Sequence, residues 1–179
     1  MRRLLVLFVV VLFPFYAHAA EKAPKAPAPA GKFQLTSTAF EANSDIPQKY
    51  TCQGSDTNPL LKFQNTPAKA KSLAITVHDP DAPEGVWVHW VVYNIPPNTT
   101  ELPENINPEY QALNDFGKYN YAGPCPSDEK QHHYIFRAYA LDVILMTNDG
   151  MTMKDLEKAM RGHIVAQSEL VGVYRKPIW

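Results

Sequence analysis

The residues best suited to chemistry begin with a short turn, residues 79–83, that reads Asp-Pro-Asp-Ala-Pro. Asp79 and Asp81 place two carboxylates directly after an apolar run, and Pro80 and Pro83 restrict the backbone angles around them. A turn held rigid by prolines suits a preorganised site. Taken alone, the same residues also fit an ordinary Asx-turn that closes a loop.

A histidine follows this turn after a short loop. His89 lies in a β-branched and aromatic stretch, where alternation places it on one face with Trp87, Val91 and Tyr93. A carboxylate from the preceding turn would pair with the imidazole, raise its pKa and favour the cation. The alternative is a packed histidine without a ligand.

A third group of candidates lies further along the chain, in the loop at 121–126 and the segment that follows it. Gly123 permits close approach to the backbone, and the prolines beside it stiffen the loop. His132 and Tyr134 alternate with His133, so we expect the first two to share one side of a strand and His133 to face the other.

These residues must be positioned by strands, because most of the chain has strand composition. The segments with alternating or β-branched composition are residues 33–38, 72–78, 88–95, 132–141 and 168–175. Proline- and asparagine-rich loops separate them. The sequence therefore predicts a mostly β domain, a sandwich or barrel, with one helix late in the chain.

The helix is predicted from a capping box. Thr152 and Asp155 have the required spacing, and apolar residues follow at helical intervals: Met153, Leu156, Met160 and Ile164. His163 falls on the apolar side of this pattern, which favours a packed histidine over a ligand.

The N-terminus has the pattern of an export signal. Residues 1–19 combine two arginines, an apolar run and an Ala-His-Ala cleavage site, and residues 20–31 form an Ala/Pro-rich spacer, so the domain is expected at 32–179. We expect a periplasmic or secreted bacterial protein. Removing Arg2 and Arg3 leaves 15 basic and 18 acidic residues, a formal charge of −3, which argues against nucleic-acid binding.

In this order the motifs resemble the phosphatidylethanolamine-binding protein family, in its bacterial, Raf-kinase-inhibitor-like branch. The resemblance spans residues 33–176, and the segments that carry it are Tyr50 to Gly54, Asp79 to Pro83, His89-Trp90, Asn114 to Gly117, Gly123 to Pro126, His132 to Tyr134, and Gly162-His163.

The resemblance implies a Greek-key β-sandwich with a small anion pocket at one end. Carried over by motif position, the pocket residues are Asp79, Asp81, Pro83, His89, Gly123, Pro124, His132 and Tyr134. Protonated His89 and His132, with the Tyr134 hydroxyl, would donate hydrogen bonds to phosphate oxygens. Asp79 would orient His89, and either aspartate would accept an ammonium.

Cys52 and Cys125 are the only two cysteines. In an oxidising compartment an even pair is readily interpreted as a disulfide, which would stabilise the fold by roughly 2–4 kcal/mol. The alternative is a Cys125 nucleophile acting with His132.

Three functions follow from these residues. The first is an exported binding or regulatory protein for phosphate-bearing or phospholipid-headgroup ligands, without catalysis, cofactor or stable membrane insertion after signal cleavage. The second is an inhibitor of an envelope or host enzyme that acts by protein interaction. The third is a metal-assisted hydrolase or oxygenase using His89, His132 and Asp79. The sequence carries no nucleophile elbow or P-loop, which favours the first.

Overall fold

The computed structural model describes residues 31–146 and 150–177. The predicted signal peptide and all but the last residue of the predicted spacer lie outside this part of the chain. In chain order the elements are β1 (Gln34–Ser37), a 3-10 turn (Gln48–Tyr50), β2 (Leu61–Gln64), β3 (Ser72–Asp79), β4 (Trp87–Ile95), β5 (Glu101–Leu102), β6 (Gln131–Leu141), α1 (Met153–Met160) and β7 (Ile164–Arg175).

The strands form two antiparallel sheets, ordered β1-β2-β5 and β4-β3-β6-β7. Buried side chains from both sheets, among them Leu35 and Leu61 from the first and Ile75 and Phe136 from the second, form one apolar cluster between them. The predicted mostly β fold, with one helix near the C-terminus, is confirmed. Its Greek-key connectivity stays a prediction.

The strand β3 lies at the centre of the second sheet, and all eight of its residues are buried. One of its faces packs into the cluster between the sheets. On its other face Ala74 joins Val91 and Tyr139 beneath Leu156 and Met160 of α1. Both faces of this strand are therefore covered, and its polar residues Ser72, Thr76, His78 and Asp79 are buried along with the apolar ones.

The helix begins as predicted and ends earlier than predicted. Thr152 accepts a hydrogen bond from the Asp155 amide, and the Asp155 carboxylate accepts one from the Thr152 amide, which completes the capping box. Gly162 then adopts a φ of +84°. This left-handed residue ends the helix, so the expectation that Ile164 continues the helical face is wrong. Ile164 begins β7 and is 42% exposed.

His163 is also placed differently from the prediction. It lies in the turn between α1 and β7, is exposed, and its Nδ1 donates to Asp142 Oδ1 at 2.9 Å. The expected packing of this histidine in the core is wrong, because it rested on a helix that does not extend so far. Among the described residues, no helix has the length and apolar character needed to span a bilayer.

Candidate functional site

A pocket of about 200 Å³ opens at the edge of the four-stranded sheet where β3 ends and where β4 and β6 begin. Because β3 runs antiparallel to both neighbours, its last residue, Asp79, lies beside the first residues of β4 and β6. The predicted residues Asp79, Pro83, His89 and His132 line this pocket together. The sheet thereby collects side chains that are far apart in sequence.

His89 reaches the pocket through a β-bulge. Val77 pairs with Trp90, and the next residue of β3, His78, pairs with Val88, so His89 is the extra residue on β4. A bulge bends the strand locally and re-aims the side chain it carries. The position of the His89 ring therefore depends on the pairing of β4 with β3.

The bulge also breaks the alternation expected for residues 87–93. Val88 packs into the same apolar cluster as Val91 and Tyr93, beneath α1. His89 instead packs against Tyr134 on the other side of the sheet, so the prediction that it shares a face with Val91 and Tyr93 is wrong. The additional residue of the bulge interrupts the alternation of side chains between the two faces.

The His89 ring is almost fully buried, and its surroundings favour the uncharged imidazole. It is 2% exposed, its Nδ1 donates to the Ala122 carbonyl at 2.7 Å, and its ring packs edge-on against Tyr134 and Phe116. Burial lowers its pKa despite that carbonyl. The expected Asp79–His89 pair and a protonated His89 are therefore wrong, and the ring offers Nε2 as an acceptor.

His132 is the histidine that pairs with the buried carboxylate. Its Nδ1 lies 2.7 Å from Asp79 Oδ2, and its Nε2 lies 2.9 Å from Asp128 Oδ1. Carboxylate oxygens only accept, so both ring nitrogens carry protons and the ring is an imidazolium. Burial opposes this charge, but the hydrogen bonds to Asp79 and Asp128 outweigh it and raise the pKa of His132.

Asp81 and His133 lie apart from the pocket. The Asp81 carboxylate accepts from the His133 amide at 2.8 Å and from its Nδ1 at 2.7 Å, and both side chains are partly exposed. The prediction that His132 and His133 serve different faces is confirmed. Asp81 instead shapes the turn, because its amide donates to Asp79 Oδ1 at 2.8 Å.

Gly123 and Pro124 brace the loop behind the pocket. The Gly123 amide donates to Asp56 Oδ1 at 2.7 Å, and a Cβ at this position would lie 2.1 Å from the Tyr50 carbonyl oxygen. The Pro124 carbonyl accepts from the Cys52 amide at 3.2 Å. The close approach that Gly123 permits is therefore made by the chain's own backbone.

Tyr134 lies behind His89 with its side chain fully buried. Its hydroxyl makes no hydrogen bond to any residue in the described part of the chain. Burial, and to a lesser degree the negative charge of Asp79, raise its pKa, so the group remains an O–H donor. Tyr134 is not among the residues that line the pocket, so its hydroxyl lies behind the pocket wall rather than at its surface.

The two cysteines are bonded to each other. Cys52 and Cys125 form a disulfide with their Cα atoms 5.4 Å apart, which confirms the predicted pair. Cys125 also lines the pocket. With both sulfurs bonded, Cys125 has no thiolate to act as the nucleophile considered above.

The metal alternative has little support in the geometry. Within residues 31–146 and 150–177, no cluster of three or more histidine, cysteine or acidic side chains has an arrangement that would hold a metal ion. The Nδ1 atoms of His132 and His89 are directed at Asp79 and at the Ala122 carbonyl, which leaves only their Nε2 atoms for any further partner.

The family model described as phosphatidylethanolamine-binding protein matches residues 36–175, which include the whole pocket. The chain belongs to the phosphatidylethanolamine-binding protein family. The resemblance inferred from the motifs is thereby confirmed.

Proteins of other microorganisms are similar to this member of the phosphatidylethanolamine-binding protein family over most of its length. A UPF0098 protein of Chlamydia trachomatis is 47% identical over 149 residues, covering 80% of this chain and 99% of the relative. A UPF0098 protein of Pyrococcus horikoshii is 47% identical over 150 residues, covering 78% and 75%.

Two crystal structures show the same fold. A phosphatidylethanolamine-binding protein homologue of C. trachomatis is similar with a TM-score of 0.78 and 45% identity, covering 82% of this chain and 99% of the other. YbcL of Escherichia coli, described as a member of the mammalian phosphatidylethanolamine-binding protein family, has a TM-score of 0.75 and 31% identity, covering 82% and 100%.

Three residues that line the pocket of this family member are absent from the sequence-based set, namely Glu84, Trp87 and Phe116, and so is Asp128, which contacts His132 from the adjoining loop. Phe116 lies in the motif Asn114 to Gly117, and that motif was the available signal. Asn114 is 3% exposed; its side chain accepts from the Phe116 amide at 3.1 Å and donates to the His89 carbonyl at 3.2 Å. It therefore holds Phe116 against the His89 ring.

Proposed function

We propose that this member of the phosphatidylethanolamine-binding protein family is an exported binding or regulatory protein, and that its pocket holds a small phosphate-bearing ligand of the phospholipid-headgroup type without catalysis. The observation that carries the proposal is the His132 imidazolium at the pocket wall. Its inner nitrogen is fixed by the buried Asp79, and its outer nitrogen reaches the loop that borders the pocket.

The pocket supplies hydrogen-bonding groups of both kinds. The His132 Nε2–H donates to a phosphate oxygen, as expected from the sequence. The unprotonated Nε2 of His89 accepts, which suits a hydroxyl or an ammonium of the ligand. The Trp87 and Phe116 rings, in edge-on contact, provide the apolar wall for the carbon atoms.

The size and charge of the pocket limit the kinds of ligand that it can bind. A volume of about 200 Å³ is below the roughly 300–1,000 Å³ of pockets that enclose drug-sized molecules, so the enclosed part of the ligand is no larger than a headgroup. Asp79, Glu84 and Asp128 carry negative charge around one imidazolium. A zwitterion with a phosphate and an ammonium, such as phosphoethanolamine, suits this balance better than a plain anion.

Export is the second part of the proposal. The N-terminal pattern of basic residues, apolar run and small-residue cleavage site supports it, and so does a disulfide, which persists in oxidising compartments. Fractionation of cells that express the full chain, with N-terminal sequencing of the product, tests both location and cleavage. A product that retains Met1 in the cytosol would contradict this part.

Ligand binding is tested by isothermal titration of the purified protein with O-phosphoethanolamine. We expect His132→Ala to abolish binding and His133→Ala, its neighbour on the opposite face, to retain it. Because His132→Ala leaves the Asp79 carboxylate buried and unpaired, Ser127→Trp provides a second variant that fills the mouth of the pocket and leaves that pair intact.

Binding that survives both His132→Ala and Ser127→Trp, in variants shown by circular dichroism to be folded, would contradict the assignment of this pocket. The absence of catalysis is checked on the same samples, because ³¹P NMR distinguishes the intact phosphate ester from free phosphate. Release of phosphate in proportion to the protein would contradict that part of the proposal.

A further inference from the structure

The outer nitrogen of the His132 imidazolium is already occupied by the protein itself. Asp128 Oδ1 lies 2.9 Å from Nε2, in the position where a phosphate oxygen of a ligand would be bound. The Asp128 carboxylate therefore occupies the position on His132 that an anionic ligand would take. A phosphate can reach this nitrogen only when the carboxylate has moved away.

The two carboxylates on His132 differ in their freedom to move. The Asp79 side chain is 4% exposed, ends the central strand β3, and is tied to the Asp81 amide. The Asp128 side chain is 29% exposed and lies in the loop before β6, whose neighbouring residues Glu129 and Lys130 are exposed. Rotation of Asp128 into solvent gives up its contacts with His132 and Lys130 and leaves the strand in place, whereas Asp79 is fixed.

The remaining contacts of Asp128 are local, and both are made by Lys130. Its Oδ1 also accepts from the Lys130 amide at 2.9 Å, and its Oδ2 lies 3.6 Å from Lys130 Nζ, whose side chain is 84% exposed. Exposed ion pairs of this kind contribute little. A ligand that displaces Asp128 therefore has to replace its contact with His132, and the rotated carboxylate also gives up the hydrogen bond from the Lys130 amide.

We propose that Asp128 determines the specificity of the pocket, by admitting ligands that carry a phosphate and an ammonium together and disfavouring those that carry a phosphate alone. The inference rests on the proposed function of the pocket. A phosphate takes over the Nε2–H of His132, and the displaced Asp128 carboxylate then accepts a hydrogen bond from the ligand's ammonium.

The physical reason for this preference is the unpaired negative charge on Asp128 when its contact with His132 is broken. A plain phosphate ester displaces Asp128 and leaves its carboxylate unpaired beside the incoming negative charge, which is unfavourable at short range. A zwitterion satisfies both groups, because its ammonium replaces the imidazolium as the partner of Asp128. The discrimination therefore depends on the charge of this one side chain.

The test compares two ligands in four proteins by isothermal titration at pH 7. The ligands are O-phosphoethanolamine and ethyl phosphate, which differ in the ammonium group. The proteins are the wild type, Asp128→Ala, Asp128→Asn and Glu129→Ala, the last being a control that removes the same charge from the same loop. The quantity of interest is the ratio of the two dissociation constants.

We expect the wild type to bind O-phosphoethanolamine about tenfold more tightly than ethyl phosphate, as one additional charge-assisted hydrogen bond allows. In Asp128→Ala ethyl phosphate should bind about tenfold more tightly than in the wild type, and the preference should fall at least about fivefold. Asp128→Asn should change the ratio in the same direction, and Glu129→Ala should leave it unchanged.

An unchanged ratio in Asp128→Ala, or an equal change in Glu129→Ala, would overturn the role of Asp128 while leaving the proposed function intact. Failure of both ligands to bind any of the four proteins would refute the proposed function and the specificity with it. A separate measurement needs no ligand: ¹⁵N NMR of the His132 ring should show a lower pKa in Asp128→Ala and no change in Glu129→Ala. Equal pKa values in all proteins would refute the contact itself.

Discussion

Replacing Asp79 by asparagine removes the charge that holds the buried imidazolium of His132. The Asp79 and His132 side chains are 4% and 2% exposed, and their contact of 2.7 Å is charge-assisted. Removing one partner of a buried ion pair usually lowers the free energy of unfolding of a protein by about 3–5 kcal/mol. Because Asp128 still pairs with the other ring nitrogen of His132, we expect Asp79→Asn to lower it by an amount near the bottom of that range, about 3 kcal/mol at pH 5.5.

The cost of Asp79→Asn should depend on pH. Asp79 and Asp128 raise the pKa of His132 above the value of about 6.5 that it has in the unfolded chain. The resulting stabilisation is fully present below that pH and is lost as the pH rises through the folded-state pKa. At pH 9 the neutral ring accepts from the new amide, so the cost should fall to about 1 kcal/mol.

Urea denaturation of wild type and variant at the two pH values, with the disulfide intact, measures these differences. Asp81→Asn is the matched control, because its pair with His133 is 41% and 53% exposed and should contribute less than about 1 kcal/mol. If Asp79→Asn cost the same at pH 5.5 and pH 9, or no more than Asp81→Asn, the description of a buried imidazolium held by Asp79 would be wrong.

Three further predictions concern the frame around the pocket. Gly123→Ala should reduce the free energy of unfolding by more than about 3 kcal/mol or prevent folding, because its Cβ would overlap the Tyr50 carbonyl; a near-normal urea midpoint would contradict this. Replacing Cys52 and Cys125 together by serine should cost about 4 kcal/mol, as a closed loop spanning 73 positions implies, and an unchanged melting temperature would count against it. Thr152→Ala should cost about 1 kcal/mol through loss of the helix cap, and a loss below about 0.3 kcal/mol in chemical denaturation would show that the cap is dispensable.

The elements with strong local patterns could be predicted from the sequence. The strand β6 alternates clearly, so His132 and Tyr134 were placed on one face and His133 on the other. The strand β2 was missed, because its four residues, which include Lys62 and Gln64, show too short an alternation to be recognised. Its strand conformation depends on pairing with β1 and β5.

The contacts of the site depend on information that no single segment holds. The bulge at His89 arises from the pairing of β4 with β3, and it decides where the ring points. The contact between Asp128 and His132 depends on the path of a loop between the disulfide and β6. Motif position therefore identified Asp79, Pro83, His89 and His132 of the pocket lining, while the other lining residues and the partners of each side chain had to come from the three-dimensional structure.

The most direct test of the account is a crystal structure of the protein with O-phosphoethanolamine bound. We expect a phosphate oxygen within about 3 Å of His132 Nε2, with the Asp128 carboxylate moved from that nitrogen towards the ammonium. A ligand bound elsewhere, with Asp128 still on His132, would contradict it.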